Sequence, residues 1–158
     1  MPDSALSEGE RKFLLALNRR GVRFLVVGMS GALIQGARGA TEDIDLWFER
    51  TDHPGIGEAA REVGGIWISG MFGMRPPALG GDVLGDRFDV VLLAQGLRSF
   101  DEEYAESVTI EVEGVPLRTL PLPRILISKR AAGRPKDLAQ IPALEEAILA
   151  SSEHSKTR

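Results

Sequence analysis

Asp43 and Asp45 stand two apart in Asp43-Ile-Asp-Leu-Trp-Phe48, where acids alternate with hydrophobic residues. On a β-strand such residues point to one face, so both carboxylates project together, roughly 6.6 Å apart along the strand, while Ile44 and Leu46 face the core. Two carboxylates this close repel unless a cation sits between them. Mg²⁺ favours one or two carboxylates completed by phosphate oxygens and water, so the pair suits a metal-nucleotide complex. Taken alone, an Asp-x-Asp at a strand edge is equally well read as solvated surface.

A third acid, Asp89, interrupts the apolar run Phe88-Asp-Val-Val-Leu-Leu93. Burial there penalises an unpaired carboxylate, so something must compensate it. A neighbouring strand carrying Asp43 and Asp45, with a shared cation, would gather three carboxylates around one or two metals. A salt bridge to Arg87 or another arginine is the alternative.

Upstream, Val26-Val-Gly-Met-Ser-Gly31 places a turn at Gly28 just before a helix, whose unpaired first amides attract phosphate. Gly28, Gly31 and Gly36 do not make the G-x-G-x-x-G of a dinucleotide site, and no Walker A lysine follows. That spacing disfavours an oxidoreductase. A plain structural turn is the other reading of Gly28.

These residues need elements to hold them. Ser7 with Glu10 forms a capping-box pattern ahead of Phe13, Leu14 and Leu17, with Gly21 as the stop, which predicts a first helix. Arg23 to Val27 reads as a strand, Ser30 to Gln35 as the start of a helix, and Asp43 to Phe48 as a second strand. A helix near Gly57 to Val63 follows. The Gly- and Pro-rich stretch from Gly64 to Asp86 reads as a long, partly mobile loop, and Arg87 to Leu93 as a third strand. Val108 to Val112 and Val115 to Thr119 flank Glu113-Gly114 as a hairpin. Two helices, Pro123 to Ala131 and Asp137 to Ala150, break at Gly133-Arg-Pro135. Residues 1–150 then form one domain, and 151–158 a polar, disordered tail.

At 158 residues there is room for one sizeable core, and 43% hydrophobic with 27% charged residues is the balance of a soluble globular chain. No apolar run reaches membrane-spanning length, and the first residues lack a secretory pattern, so a cytoplasmic protein is expected. With no cysteine and two histidines, thiol catalysis and Cys- or His-rich metal sites are excluded. A net charge of -4 argues against a purely electrostatic nucleic-acid binder. Ser99 to Leu117 holds six acids and no base, and reads as a solvated face. Arg118 to Lys136 holds six bases and no acid, and is placed to meet phosphates.

Gly28, the run Ala32-Leu-Ile-Gln-Gly36, Arg38, Thr41-Glu-Asp-Ile-Asp-Leu46 and a lone strand acid resemble the DNA polymerase β-type nucleotidyltransferase superfamily. Ser128-Lys-Arg-Ala-Ala-Gly-Arg-Pro-Lys-Asp137, with Ile141 to Leu144 after it, resembles the C-terminal helical motif of the minimal, AbiEii-toxin-like branch. The matched parts run from about Val22 to Leu144.

That resemblance implies an α/β (α+β) fold: a single domain with a mixed sheet flanked by helices. It also implies transfer of a nucleoside monophosphate from an NTP to a hydroxyl, with two Mg²⁺ held by Asp43, Asp45 and Asp89, and Asp89 as a base. Gly28 and Ser30 would hold the triphosphate, and Lys129, Arg134 and Lys136 would neutralise phosphate. The acceptor would be tRNA or a protein, with an antitoxin as a partner in a toxin-antitoxin system. Family members carry Gly-Gly or Gly-Ser at the turn, whereas Met29 follows Gly28 here. That departure motivates a second reading, a catalytically inactive nucleotide- or partner-binding module of the same fold.

Overall fold

In the computed structural model, which describes residues 5–70 and 76–156, Ser7 caps helix α1 (Glu8–Arg19) by the expected capping box. The Ser7 hydroxyl accepts from Glu10 N at 3.1 Å, and the Glu10 carboxylate accepts from Ser7 N at 3.0 Å. Phe13, Leu14 and Leu17 form its buried face. Strand β1 (Phe24–Val27) runs directly into helix α2 (Gly28–Leu33), which begins two residues earlier than the sequence predicts. Strand β2 (Ile44–Phe48), helix α3 (Pro54–Glu62) and strand β5 (Phe88–Val91) follow the expected order. Helix α4 (Phe100–Ala105) precedes the hairpin of β6 (Val108–Val112) and β7 (Val115–Thr119), and α5 (Leu122–Ala132) and α6 (Pro135–Lys156) close the chain.

The five-stranded sheet has the order β5-β2-β1-β7-β6. It is mixed: β1 lies antiparallel to β2 and parallel to β7, β2 lies parallel to β5, and β6 lies antiparallel to β7. Alternation along the strands sends Phe24, Val26, Ile44, Leu46 and Phe48 into a core shared with α1 and α3. Leu25, Val27 and Trp47 point the other way, against α2, α5 and α6. The central strand β1 is therefore buried on both faces. Helices cover both sides of the sheet, as expected, and no helix among the described residues is long and apolar enough to cross a membrane.

Four local expectations are corrected. Residues 64–86 are not one loop: β3 (Ile66–Ile68) pairs antiparallel with β4 (Ala78–Gly80). Their apolar run is only three residues long, and Ile66 and Ile68 are exposed, so no buried-strand periodicity announces them. The part of the predicted mobile loop at 71–75 lies outside the described residues. Strand β5 ends at Val91, and Leu92 and Leu93 are exposed beyond it. Helix α6 continues past Ala150 to Lys156, because no glycine or proline interrupts Ser151-Ser-Glu-His-Ser-Lys156.

The acidic block is not simply a solvated face. Ser99 caps α4, and Glu103 is buried, with its carboxylate accepting from Arg124 Nε at 3.0 Å, Arg124 Nη2 at 2.6 Å and Arg98 N at 3.0 Å. Burial pushes its pKa up, but the Arg124 hydrogen bonds and the Arg98 amide outweigh that and hold it below the usual range. Removing one member of a buried pair strands the other charge. Glu103→Ala is therefore expected to cost about 3 kcal/mol, read as a lower urea midpoint, with the exposed Arg50–Asp52 pair as a control whose loss leaves the midpoint unchanged. Equal midpoints for wild type and Glu103→Ala would contradict this account.

Candidate active site

Strand register brings the predicted acids together. Asp45 on β2 lies opposite Val27, the last residue of β1, and beside Asp89 on β5 in the parallel ladder. Neighbouring strands are about 4.8 Å apart, so the two carboxylates leave one sheet face side by side. Asp43 sits one residue ahead of β2, where Thr41 Oγ1 accepts from its backbone N at 3.3 Å.

Gly28 makes the close approach possible. Its φ of +62° is left-handed, and a Cβ there would fall closer than 3.0 Å to Asp45 Oδ2. Only glycine meets both demands at once. Ser30 plays a different part from the phosphate-binding role expected of it. It is buried, and its hydroxyl donates to Val27 O at 2.8 Å while accepting from Asp45 N at 3.0 Å. The hydroxyl splints the turn to β2 instead of facing a ligand. Gln35 Nε2 ties the end of α2 to Leu120 O at 2.8 Å, fixing α2 against the segment that leads into α5.

The electrostatics follow from this crowding. Burial, then the charge of Asp89, push Asp45 up to about 6, with Lys129 pulling it down and Asp43 adding to the rise. Asp89 is also raised, by desolvation first and then by the charge of Asp43 and a hydrogen bond with it. The expectation that Asp89 is the buried acid is corrected. Asp89 is exposed because β5 is an edge strand, and Asp45, beneath the Gly28 turn, is the more buried of the two carboxylates. Nor does Arg87 pair with Asp89. It donates to Glu42 O at 2.5 Å and Ala5 O at 2.9 Å, and faces Glu10 at 3.5 Å.

Three mutually repelling carboxylates are hard oxygen donors of the kind Mg²⁺ takes. Among the described residues, however, no group of three acidic or histidine side chains stands ready as a metal cage.

A cavity of about 380 Å³ runs from Gly28 and Asp45 along α5. In its lining, Lys129 Nζ contacts Asp137 Oδ1 at 3.2 Å, and Arg134 Nε contacts Asp137 Oδ2 at 2.7 Å. Asp137 itself is buried, and hydrogen bonds from Arg134, aided by Lys129, hold it below the usual range. Lys136 is exposed and makes no ion pair among the described residues, yet its charge acts on both Asp45 and Asp89. The structure thus brings Gly28, Asp45, Lys129 and Arg134 to one cavity, with Asp89 beside Asp45 on β5, the charges of Asp43 and Lys136 acting on both acids from outside the lining, and Ser30 behind the turn.

Among solved structures, the chain is similar to the crystal structure of ANT(2'')-Ia in complex with adenylyl-2''-tobramycin, with a TM-score of 0.52 and 16% identity over 93% of this chain and 95% of that one. A solution structure of the same antibiotic-resistance factor aligns over the same shares at 17% identity, with a TM-score of 0.47. The chain has a nucleotidyltransferase fold. No family model matches the sequence. No curated protein matches it either. These comparisons do not confirm the AbiEii-like branch, whose resemblance is carried by Ser128 to Asp137 and Ile141 to Leu144.

Within the nucleotidyltransferase fold, Asp137 is the residue that sequence reasoning missed. Its signal was its place as the first acid after the six-base stretch, three residues beyond Arg134. Because Lys129 borders the cavity and Lys136 acts on the acids, Lys129→Ala and Lys136→Ala are each expected to weaken NTP binding more than binding of the matching nucleoside. Titration of both ligands checks this, and equal losses would return the lysines to a structural role.

Proposed function

We propose that this chain transfers a nucleoside monophosphate from an NTP to a hydroxyl acceptor and releases pyrophosphate. The observation that carries this reading is the in-register Asp45 and Asp89 pair, with Asp45 beneath the Gly28 turn and lining a cavity shared with Lys129 and Arg134. Mg²⁺, two ions by family resemblance, would neutralise charge between the carboxylates and the phosphates when bound. Asp89, exposed and beside Asp45 in register, would take the acceptor's proton. As the acceptor oxygen bonds to the α-phosphorus, the bond to the bridging oxygen of pyrophosphate breaks. Lys129 and Arg134 then stabilise the charge that leaves.

The catalytically inactive alternative drew on Met29. That side chain is buried in the core beside Gly39 and does not line the cavity, so the departure from the family turn leaves the site open. The acceptor class is a hydroxyl. The solved relative's complex with an adenylylated antibiotic places hydroxylated antibiotics among the first acceptors to assay, beside tRNA and protein.

The test is incubation with each labelled NTP, Mg²⁺ and these acceptors, following pyrophosphate release and label transfer. Melting curves with and without Mg-NTP provide the companion measurement. Wild type should gain thermal stability from a ligand bound only by the folded state, and Asp89→Asn should lose much of that gain. Transfer that is absent for every NTP and acceptor, together with an undiminished shift in Asp89→Asn, would remove this function.

A further inference from the structure

A second cavity, of about 220 Å³, adjoins the acids, and Leu6, Val26, Ile34, Ile44, Val112 and Leu117 give it apolar walls. Asp43 lines this cavity, whereas Asp45 lines the first. Val26 and Ile44 belong to the core on the α1 and α3 side of the sheet, and Val27, which lines the first cavity, points the other way. The acidic pair therefore stands between two separate spaces. Ile34, Asp43 and Val112 are half-buried, so the second space reaches the surface.

Its walls are held open by the chain itself. Glu113, at the tip of the β6–β7 hairpin, accepts from Ala5 N at 2.9 Å and Leu6 N at 3.3 Å, and Arg87 donates to Ala5 O at 2.9 Å. Leu6 is thereby fixed as a wall. The polar members of the lining are engaged elsewhere: Ser30 Oγ with Val27 O and Asp45 N, Thr41 Oγ1 with both backbone groups of Asp43, and Arg87 with Glu42 O, Ala5 O and Glu10. Asp43 is the lone acid of the lining among the described residues. Away from Asp43, an occupant is therefore held by apolar contact, and a polar one would lose hydrogen bonds to water without replacement. An apolar cavity of about 150 Å³ holds benzene, so this one has room for a ring with a short substituent.

In-line displacement places the attacking oxygen opposite the leaving one. With the leaving phosphates on Lys129 and Arg134 in the first cavity, the acceptor must enter from beyond the acids. Resting on the nucleotidyltransferase reading, we infer that the second cavity receives the apolar body of the acceptor, which is a small alcohol built on an aromatic or branched aliphatic group. Its hydroxyl, beside Asp43, gives its proton to Asp89 as its oxygen bonds to the α-phosphorus, and pyrophosphate leaves with the electron pair of the broken bond. A polycationic acceptor would find one acid in this lining and apolar walls around it.

The experiment compares transfer to benzyl alcohol, 2-naphthylmethanol, glycerol and a polycationic hydroxylated antibiotic, with Mg²⁺ and each NTP, for wild type, Val112→Phe and Ile34→Ala. Benzyl alcohol should exceed glycerol roughly 10- to 100-fold in kcat/KM, the gain from burying a ring. Val112→Phe fills the cavity and should erase that margin, with glycerol transfer and Mg-NTP stabilisation unchanged. Ile34→Ala enlarges the cavity and should move the preference to 2-naphthylmethanol, a gain that misfolding cannot produce. Toluene, which has the ring and no hydroxyl, should raise the Tm of metal-free wild type and not that of Val112→Phe. Equal transfer to benzyl alcohol and glycerol, a preference for the antibiotic, a margin that survives Val112→Phe, or a wild-type melting curve that toluene leaves unshifted would overturn this inference while leaving the nucleotidyltransferase reading. No transfer to any acceptor together with no stabilisation by any Mg-NTP would overturn that reading, and this inference with it.

Discussion

Asp45→Asn is expected to lower nucleotidyl transfer by at least about 10³-fold in kcat/KM, close to 4 kcal/mol of transition-state stabilisation, while making the metal-free protein more stable at neutral pH. Both effects have one cause. Asp45 is the acid that Gly28 approaches, and Asp89 lies beside it in register. Its charge is costly to the fold and useful only once positive charge arrives.

The pH dependence follows with a definite sign. Burial and Asp89 raise Asp45 from 3.8 to about 6, so between those values the folded protein holds a proton that the unfolded chain has released. Stability contributed by that proton is fully present below the unfolded value and is lost as pH rises through about 6. At pH 7 the ionised carboxylate then costs on the order of 2 kcal/mol after solvent screening. Glu103 and Asp137, whose pKa values are lowered, act in the opposite sense, so the quantity to measure is the difference between wild type and Asp45→Asn. That difference should grow in favour of the variant from pH 4 to pH 7 in urea melts without metal. A difference that stays flat would mean that Asp45 is not the strained acid, and retained transfer would remove it from the site.

Much of this arrangement was legible from local pattern. Ser7 with Glu10, the stop at Gly21, the Glu113-Gly114 hairpin and the alternating Asp43-Ile-Asp-Leu46 each satisfy short-range rules, and their elements lie where those rules place them. What escaped depends on partners far along the chain. Asp89 looked buried because its neighbours in sequence are apolar, but exposure depends on β5 lying at the sheet edge, which no window of sequence contains. Ser30 looked like a phosphate hydroxyl until the register of β1 and β2 set it against Asp45 N. Glu103 read as part of a solvated face, and it is buried against Arg124, 21 residues on, whose approach depends on how α5 packs. Residue types announced the chemistry, and strand order decided which acid carries the strain.

Gly28→Ala separates that strain from simple backbone cost, provided it is measured beside Gly21→Ala. Both glycines are left-handed, with φ of +62° and +72°, so alanine at either position pays roughly 1–2 kcal/mol for its backbone alone. A Cβ on Gly21 meets nothing within 4 Å, whereas one on Gly28 runs into Asp45 Oδ2. Asp45 cannot simply step aside, because Ser30 Oγ holds its backbone N at 3.0 Å and Asp89 lies beside it on β5. Gly21→Ala is therefore expected to lower stability and leave turnover intact. Gly28→Ala should lose more stability and at least about 10²-fold in kcat, since a displacement near 1 Å in a positioned group has that effect. Adding Asp45→Ser removes the obstructed carboxylate, so Gly28→Ala should lose much less stability in the Asp45→Ser background than in wild type, as coupled neighbours do. Additive losses, or a Gly28→Ala enzyme as active as Gly21→Ala, would show that the turn does not hold Asp45 in its working position.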